Sequence, residues 1–70
     1  VGCMVETKLA NSAALNLVLA RKNVNHSDLD GYSSLKYDIT SESMVLKDGI
    51  NYPFENPGIG AVLKPEFLNF

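Results

Sequence analysis

The chain has 70 residues, of which 46% are hydrophobic and 20% charged, and six Lys or Arg against eight Asp or Glu give a net charge of −2. This composition indicates an ordinary globular interior, and the scattered positive charges with a pI of about 5.1 argue against nucleic-acid binding. A lone cysteine excludes an internal disulfide, and no Cys/His cluster indicates structural zinc.

The chain begins at Val1 inside an apolar run and lacks the disulfides or metal that stabilise small domains, so we expect a piece of a larger protein. No apolar run in these 70 residues reaches the roughly 20 residues needed to span a bilayer, and none has the pattern of a signal peptide. We therefore expect no membrane partner and a cytoplasmic location, which also suits a free cysteine.

Residues 1–5 are short and apolar, which is typical of a strand buried on both faces of a parallel sheet. Thr7 is the expected cap of a helix over residues 8–22, which are rich in Ala and Leu. Arg21 and Lys22 fall in its last turn, and Asn23 is expected to end it in the left-handed conformation. The face predicted to lie on a sheet comprises Ala10, Ala13, Ala14, Leu17, Val18 and Arg21, and the residues predicted to face water are Asn11, Asn16 and Lys22.

A second strand is predicted over residues 24–30, which makes a βαβ unit with parallel strands. Asp28 and Asp30 fall on one strand face, roughly 6–7 Å apart, and two like charges repel unless a cation lies between them. The pair thus indicates half of a cation site, with a solvated strand end as the alternative. Glu6 ends the first strand at the same rim, where ligands of parallel sheets bind. His26, on the Asp28 face, is expected to be a hydrogen-bonded barrel or core histidine.

A hairpin is predicted after Gly31, where the composition changes and divides the chain into residues 1–31 and 32–70. Residues 32–41 are expected to be irregular, with a helical turn near 33–36. Asp48-Gly49 between extended residues 44–47 and 50–54 predicts a type I′ turn that pairs Val45 with Tyr52. A turn at 56–60 and a short last strand at 61–63 are expected to follow.

The order of these motifs resembles the C-terminal end of enolase-superfamily enzymes, within the muconate-lactonizing subgroup. Gly2-Cys3-Met4-Val5-Glu6 is similar to the seventh barrel strand of that subgroup, and Pro57-Gly58-Ile59-Gly60 to the segment that returns to the capping domain. Asp28-Leu29-Asp30 is similar to the pair with which dipeptide epimerases hold the substrate ammonium group. The implied fold is α/β: the last β-α-β of a (β/α)7β modified TIM barrel over residues 1–31, with residues 32–70 packing by their hairpin on an α+β capping domain.

The resemblance implies a Mg²⁺-dependent isomerase that epimerizes dipeptides by 1,1-proton transfer. Asp28 and Asp30 would bind the substrate ammonium, Cys3 and Met4 would line the substrate site, and Glu6 would lie on its rim. The catalytic lysines and the Mg²⁺ ligands would come from outside this chain, so the 70-residue chain alone is expected to be inactive.

Two alternatives stay open. One is another enzyme of the subgroup, a muconate cycloisomerase, o-succinylbenzoate synthase or N-acylamino acid racemase, whose substrates carry no free ammonium for the aspartates to bind. The other is a freestanding small α+β interaction module. The oligomeric state of the parent enzyme, including a homo-oligomer, is also left open.

Overall fold

The computed structural model describes residues 1–68, so the last two residues of the predicted segment 32–70 lie outside it. The described chain is a small mixed α/β fold with one α-helix and two antiparallel two-stranded sheets. Its elements are α1 (Lys8–Ala20), β1 (Thr40–Glu42), β2 (Val45–Lys47), β3 (Ile50–Tyr52) and β4 (Val62–Leu63). Single 3₁₀ turns lie at Gly31–Ser34 and Pro65–Phe67.

The predicted hairpin is confirmed in its place and its register. Strand β2 pairs antiparallel with β3, and Val45 lies opposite Tyr52 as predicted. The turn residues Asp48 and Gly49 have φ angles of 52° and 76°. Positive φ at both positions is what a type I′ turn requires, and the turn fixes the register of the two strands.

The second sheet joins two distant segments. Strand β4 confirms the short last strand, and it pairs with β1, where irregular backbone was predicted. Thr40 lies opposite Leu63 and Glu42 opposite Val62, with an irregularity between the two pairs. The sequence of β1 has no strand signal of its own. Its extended conformation depends on pairing with β4, about 20 residues later in the chain.

Helix α1 begins where predicted but ends early. The helix ends at Ala20, and Arg21 has an extended backbone conformation. The Val24 N–H donates to the Arg21 carbonyl at 3.2 Å. The predictions that Arg21 and Lys22 lie in the last turn and that Asn23 is left-handed are therefore wrong, since Asp48 is the non-glycine residue with positive φ in the described chain. A turn closed by Val24 takes the place of the left-handed cap.

The buried face of α1 differs from the predicted one. Asn11, expected to face water, is fully buried, and Ser12 is buried beside it. The C-terminal half covers this side of the helix: the Met44 N–H donates to the Ser12 hydroxyl (3.1 Å), and the Asn16 amide donates to the Ile59 carbonyl (3.0 Å). Because no sheet lies beneath the other side in residues 1–68, four members of the predicted sheet-facing set are exposed: Ala10, Ala13, Leu17 and Arg21.

The strands predicted over residues 1–5 and 24–30 are wrong as regular strands, although the two segments lie side by side. The Val1 nitrogen donates to the His26 carbonyl (2.8 Å), and the Val1 carbonyl accepts the Asp28 N–H (2.9 Å). Bonds from one residue to partners two apart have the spacing of a parallel ladder. No further backbone bond of this ladder forms in residues 1–68, and the next contact between the two segments is a bond from the Gly31 N–H to the Cys3 thiol.

The hydrophobic core is small and joins both halves of the chain. Its buried members are Leu15, Leu29, Tyr32 and Met44, and Cys3, Ala14 and Val18 pack against them. Leu29 lies between Asp28 and Asp30 in the sequence, so its burial in the core anchors the backbone that bears the two candidate carboxylates. The barrel origin of residues 1–31 stays a prediction.

None of the helices within residues 1–68 has the length and apolar character that crossing a lipid bilayer requires.

Candidate functional site

The two aspartates predicted to bind a cation are exposed on either side of a buried residue. Leu29 is only 4% exposed, whereas Asp28 and Asp30 both reach solvent. In the part of the chain that the structure describes, neither carboxylate forms an ion pair or accepts a hydrogen bond. Both carboxylates therefore face solvent without a protein counter-charge in residues 1–68, and their binding of a positive group stays a prediction.

The backbone that carries the aspartates is held by the N-terminal segment. The Asp28 N–H donates to the Val1 carbonyl at 2.9 Å, and the Gly31 N–H donates to the Cys3 thiol sulfur at 3.3 Å. Gly31 lies so close to the Met4 carbonyl that a Cβ at this position would overlap it. Glycine is required here by this close approach, which packs the two segments together.

The hairpin holds the same backbone from the other end. The Tyr32 hydroxyl donates to Asn51 Oδ1 at 2.8 Å, and Asn51 Nδ2 donates to the Leu29 carbonyl at 3.5 Å. The Asp30 carbonyl in turn accepts the Ser33 N–H (2.9 Å) and hydroxyl (2.6 Å). Residues 28–32 are thus tied to both the N-terminal segment and β3.

Tyr32 lies beside the candidate site with its ring in the core. The Lys8 ammonium lies 5.3 Å from the centre of the ring, within cation–π range. Burial, with a smaller effect from the Asp30 charge, raises the pKa of the Tyr32 hydroxyl above its ordinary value. The hydroxyl therefore stays protonated at neutral pH and keeps its role as the donor to Asn51.

The other predicted site residues differ in their surroundings. Cys3 is half-buried with its sulfur on the Gly31 N–H, so its contacts in residues 1–68 are structural. Met4 is 81% exposed, and Glu6 is half-buried. His26 is exposed, so it is not a core histidine of residues 1–68, and its backbone carbonyl, not its ring, makes the contact with Val1. The alternative of a barrel histidine stays a prediction.

Residues 1–68 contain no group of three or more His, Cys, Asp or Glu side chains placed to hold a metal ion. These residues alone therefore do not form a Mg²⁺ centre, and the predicted Mg²⁺ with ligands outside this chain stays a prediction.

Two residues of the site were not predicted from the sequence. Asn51 and Tyr32 hold the backbone around Asp30, yet neither belongs to a recognisable motif. The sequence carried no signal for Asn51, because a polar residue between Ile50 and Tyr52 fits the ordinary alternation of a strand. The structure shows that Asn51 is the more buried residue of β3, whereas Ile50 and Tyr52 are exposed.

Comparison with curated proteins shows that the chain is similar to epimerases, which are isomerases. It is 38% identical over 61 residues to the L-Lys-D/L-Arg epimerase of Methylococcus capsulatus, a match to 87% of this chain and 17% of that enzyme. It is 37% identical over 67 residues to a hydrophobic dipeptide epimerase of a Flavobacteria bacterium, a match to 96% of this chain and 18% of that enzyme. The chain thus spans less than a fifth of the length of these relatives.

Both relatives are named as epimerases, which confirms the predicted relationship to epimerases. No protein-family model and no solved structure matches the chain. Membership of the enolase superfamily and of its muconate-lactonizing subgroup both stay predictions.

Proposed function

We propose that the protein containing this chain is a dipeptide epimerase, and that Asp28 and Asp30 bind the α-ammonium group of its substrate. The observation that carries the proposal is the pair of exposed carboxylates, without a protein counter-charge in residues 1–68, on a backbone that is hydrogen-bonded to the N-terminal segment and to β3. The similarity to two enzymes named as epimerases supports the reaction class. The name of one relative includes the word dipeptide, which supports the substrate class.

The chemistry assigned to this chain is recognition. An ammonium group beside two carboxylates gains charge-assisted hydrogen bonds, which are stronger than neutral ones, and these bonds orient the substrate for reaction at its α-carbon. In this proposal Cys3, Met4 and Glu6 contribute to the rim. The (β/α)7β barrel, the lysines that move the proton and the Mg²⁺ ligands are supplied by residues outside this chain.

The test compares two substrates in the full-length protein. Asp28→Asn and Asp30→Asn each weaken a charge-assisted hydrogen bond that contributes about 1.5–3 kcal/mol, so kcat/KM for a free dipeptide should fall about 10- to 150-fold. The N-acetyl form of the same dipeptide has no positive charge, so its kcat/KM, or its inhibition constant if it is not turned over, should change little. Asp48→Asn in the exposed hairpin turn is the matched control, because it removes a carboxylate where asparagine suits the positive φ.

Two outcomes would overturn the ammonium-binding role. One is an equal loss for the free and the N-acetyl dipeptide, which indicates a structural effect of the aspartates. The other is a collapse of Mg²⁺ affinity in either variant, which would make the aspartates metal ligands. Selective turnover of an N-acyl or other ammonium-free acid by the unmodified protein would instead support the alternative members of the muconate-lactonizing subgroup.

A further inference from the structure

We infer that Asn51 is a positioning residue for Asp30, and that through it the hairpin sets how well the site discriminates free from N-acylated dipeptides. The inference rests on the proposed function of Asp28 and Asp30 and adds a residue, on a different part of the chain, on which that function depends. Asn51 lies 21 residues after Asp30 in sequence.

The contacts of Asn51 lie on both sides of Asp30. Its amide binds the carbonyl of Leu29, the residue before, and the hydroxyl of Tyr32, two residues after. The orientation of the amide follows from its partners: the Leu29 carbonyl only accepts, so Nδ2 must face it and Oδ1 is left for the Tyr32 hydroxyl. The Asn51 side chain therefore contacts the chain on both sides of Asp30, the residue that precedes the 3₁₀ turn at Gly31–Ser34.

The surroundings of Asn51 allow this role. Asn51 is half-buried between the exposed Ile50 and Tyr52, so it is the residue of β3 that points toward the core. The backbone of Asp30 is not held by any strand pairing, because the parallel contact ends at Asp28. Loss of the amide would remove the hydrogen bonds between residues 29–32 and β3 and leave the core packing of Leu29 and Tyr32 with Met44. A small displacement of a substrate-binding group has a large effect on rate.

The test uses the full-length protein and the same pair of substrates. Asn51→Leu keeps the side-chain size and removes both hydrogen bonds, so kcat/KM for the free dipeptide should fall about 5- to 30-fold, mainly through KM, since Asn51 itself touches no substrate. The N-acetyl dipeptide should change less than about twofold. Tyr32→Phe removes one of the two hydrogen bonds and should lower kcat/KM for the free dipeptide by a smaller factor. If Asn51→Leu does not fold, Tyr32→Phe is the variant that tests the positioning role.

Two controls separate positioning from general stability. Asn56→Leu is the matched variant: Asn56 also forms two side-chain hydrogen bonds, to Glu42 (2.5 Å) and to the Gly60 carbonyl (3.4 Å), but none to residues 29–32. It should lower the stability without changing the ratio of the two kcat/KM values. A double-mutant cycle then tests whether Asn51 acts through Asp30: in the Asp30→Asn background, Asn51→Leu should cost less than about twofold.

The outcomes distinguish the two proposals. If Asp30→Asn alone damages both substrates equally, the ammonium-binding role fails and the inference about Asn51 fails with it. If Asp30→Asn is selective while Asn51→Leu and Tyr32→Phe affect both substrates equally, or add fully to Asp30→Asn, the proposed function stands and Asn51 has only a structural role.

Discussion

Asp38 caps helix α1 from the C-terminal half, and its removal tests whether that contact holds the two halves together. Its Oδ2 accepts the Lys8 N–H at 2.8 Å, at the first residue of the helix, where N–H groups have no partner within the helix. Its Oδ1 accepts the N–H (3.1 Å) and the hydroxyl (2.8 Å) of Thr40. Thr7, the predicted cap, makes no side-chain capping bond.

The expected cost of Asp38→Asn follows from these three bonds. An asparagine has one acceptor oxygen in place of two, so it keeps either the Lys8 bond or the Thr40 bonds and loses the charge. One lost hydrogen bond to a charged acceptor in a half-buried site corresponds to about 1–2 kcal/mol of unfolding free energy. Asp48→Asn, the same exchange in the exposed turn, should cost less than about 0.5 kcal/mol.

The pH dependence gives a second, independent measurement. Burial raises the pKa of Asp38, but hydrogen bonds from Lys8 and Thr40 together with the Lys8 charge outweigh it and lower the pKa below its ordinary value. A lowered pKa means that this contribution is complete above the unfolded-state pKa of about 3.9 and is lost as the pH falls through the lower pKa of the folded state. The difference between the original protein and Asp38→Asn should therefore shrink in acid.

The assay is urea unfolding of the full-length protein followed by circular dichroism, at neutral pH and in steps down to about pH 3. Equal stability losses for Asp38→Asn and Asp48→Asn at neutral pH would show that Asp38 contributes nothing beyond an exposed aspartate. A difference between the original protein and Asp38→Asn that stays constant in acid would show that the Asp38 charge does not contribute, because a neutral hydrogen bond does not titrate.

Two further substitutions test the packing around the site. Gly31→Ala places a Cβ against the Met4 carbonyl and should cost about 1–3 kcal/mol of unfolding free energy, whereas Gly2→Ala, with open space around its Cβ, should stay within about 0.5 kcal/mol in the same urea titration. Met44→Ala should lower the unfolding free energy by about 2–5 kcal/mol because Met44 is only 2% exposed, whereas Leu46→Ala should lower it by less than about 1 kcal/mol because Leu46 is 52% exposed. If a thermal melt shows a larger loss of stability for Leu46→Ala than for Met44→Ala, Met44 is not at the centre of the core.

The sequence alone determined the features that depend on neighbours along the chain. The Asp48-Gly49 turn and its register follow from two adjacent residues that accept positive φ. The start of α1 follows from the run of good helix formers after Thr7. Leu29 is buried and its neighbours Asp28 and Asp30 are exposed, but the cation-binding role of the two aspartates stays a prediction.

The tertiary structure decided everything that depends on what covers a surface or pairs with a backbone. Periodicity assigned the apolar residues of α1 to the inside, but the C-terminal half packs on the side that carries Asn11 and Ser12, so these polar residues are buried. A strand needs a partner for its backbone, so β1 exists only because β4 pairs with it. The contact between Asn51 and the segment around Asp30 joins residues about 20 positions apart, and no local preference of either segment encodes such a contact.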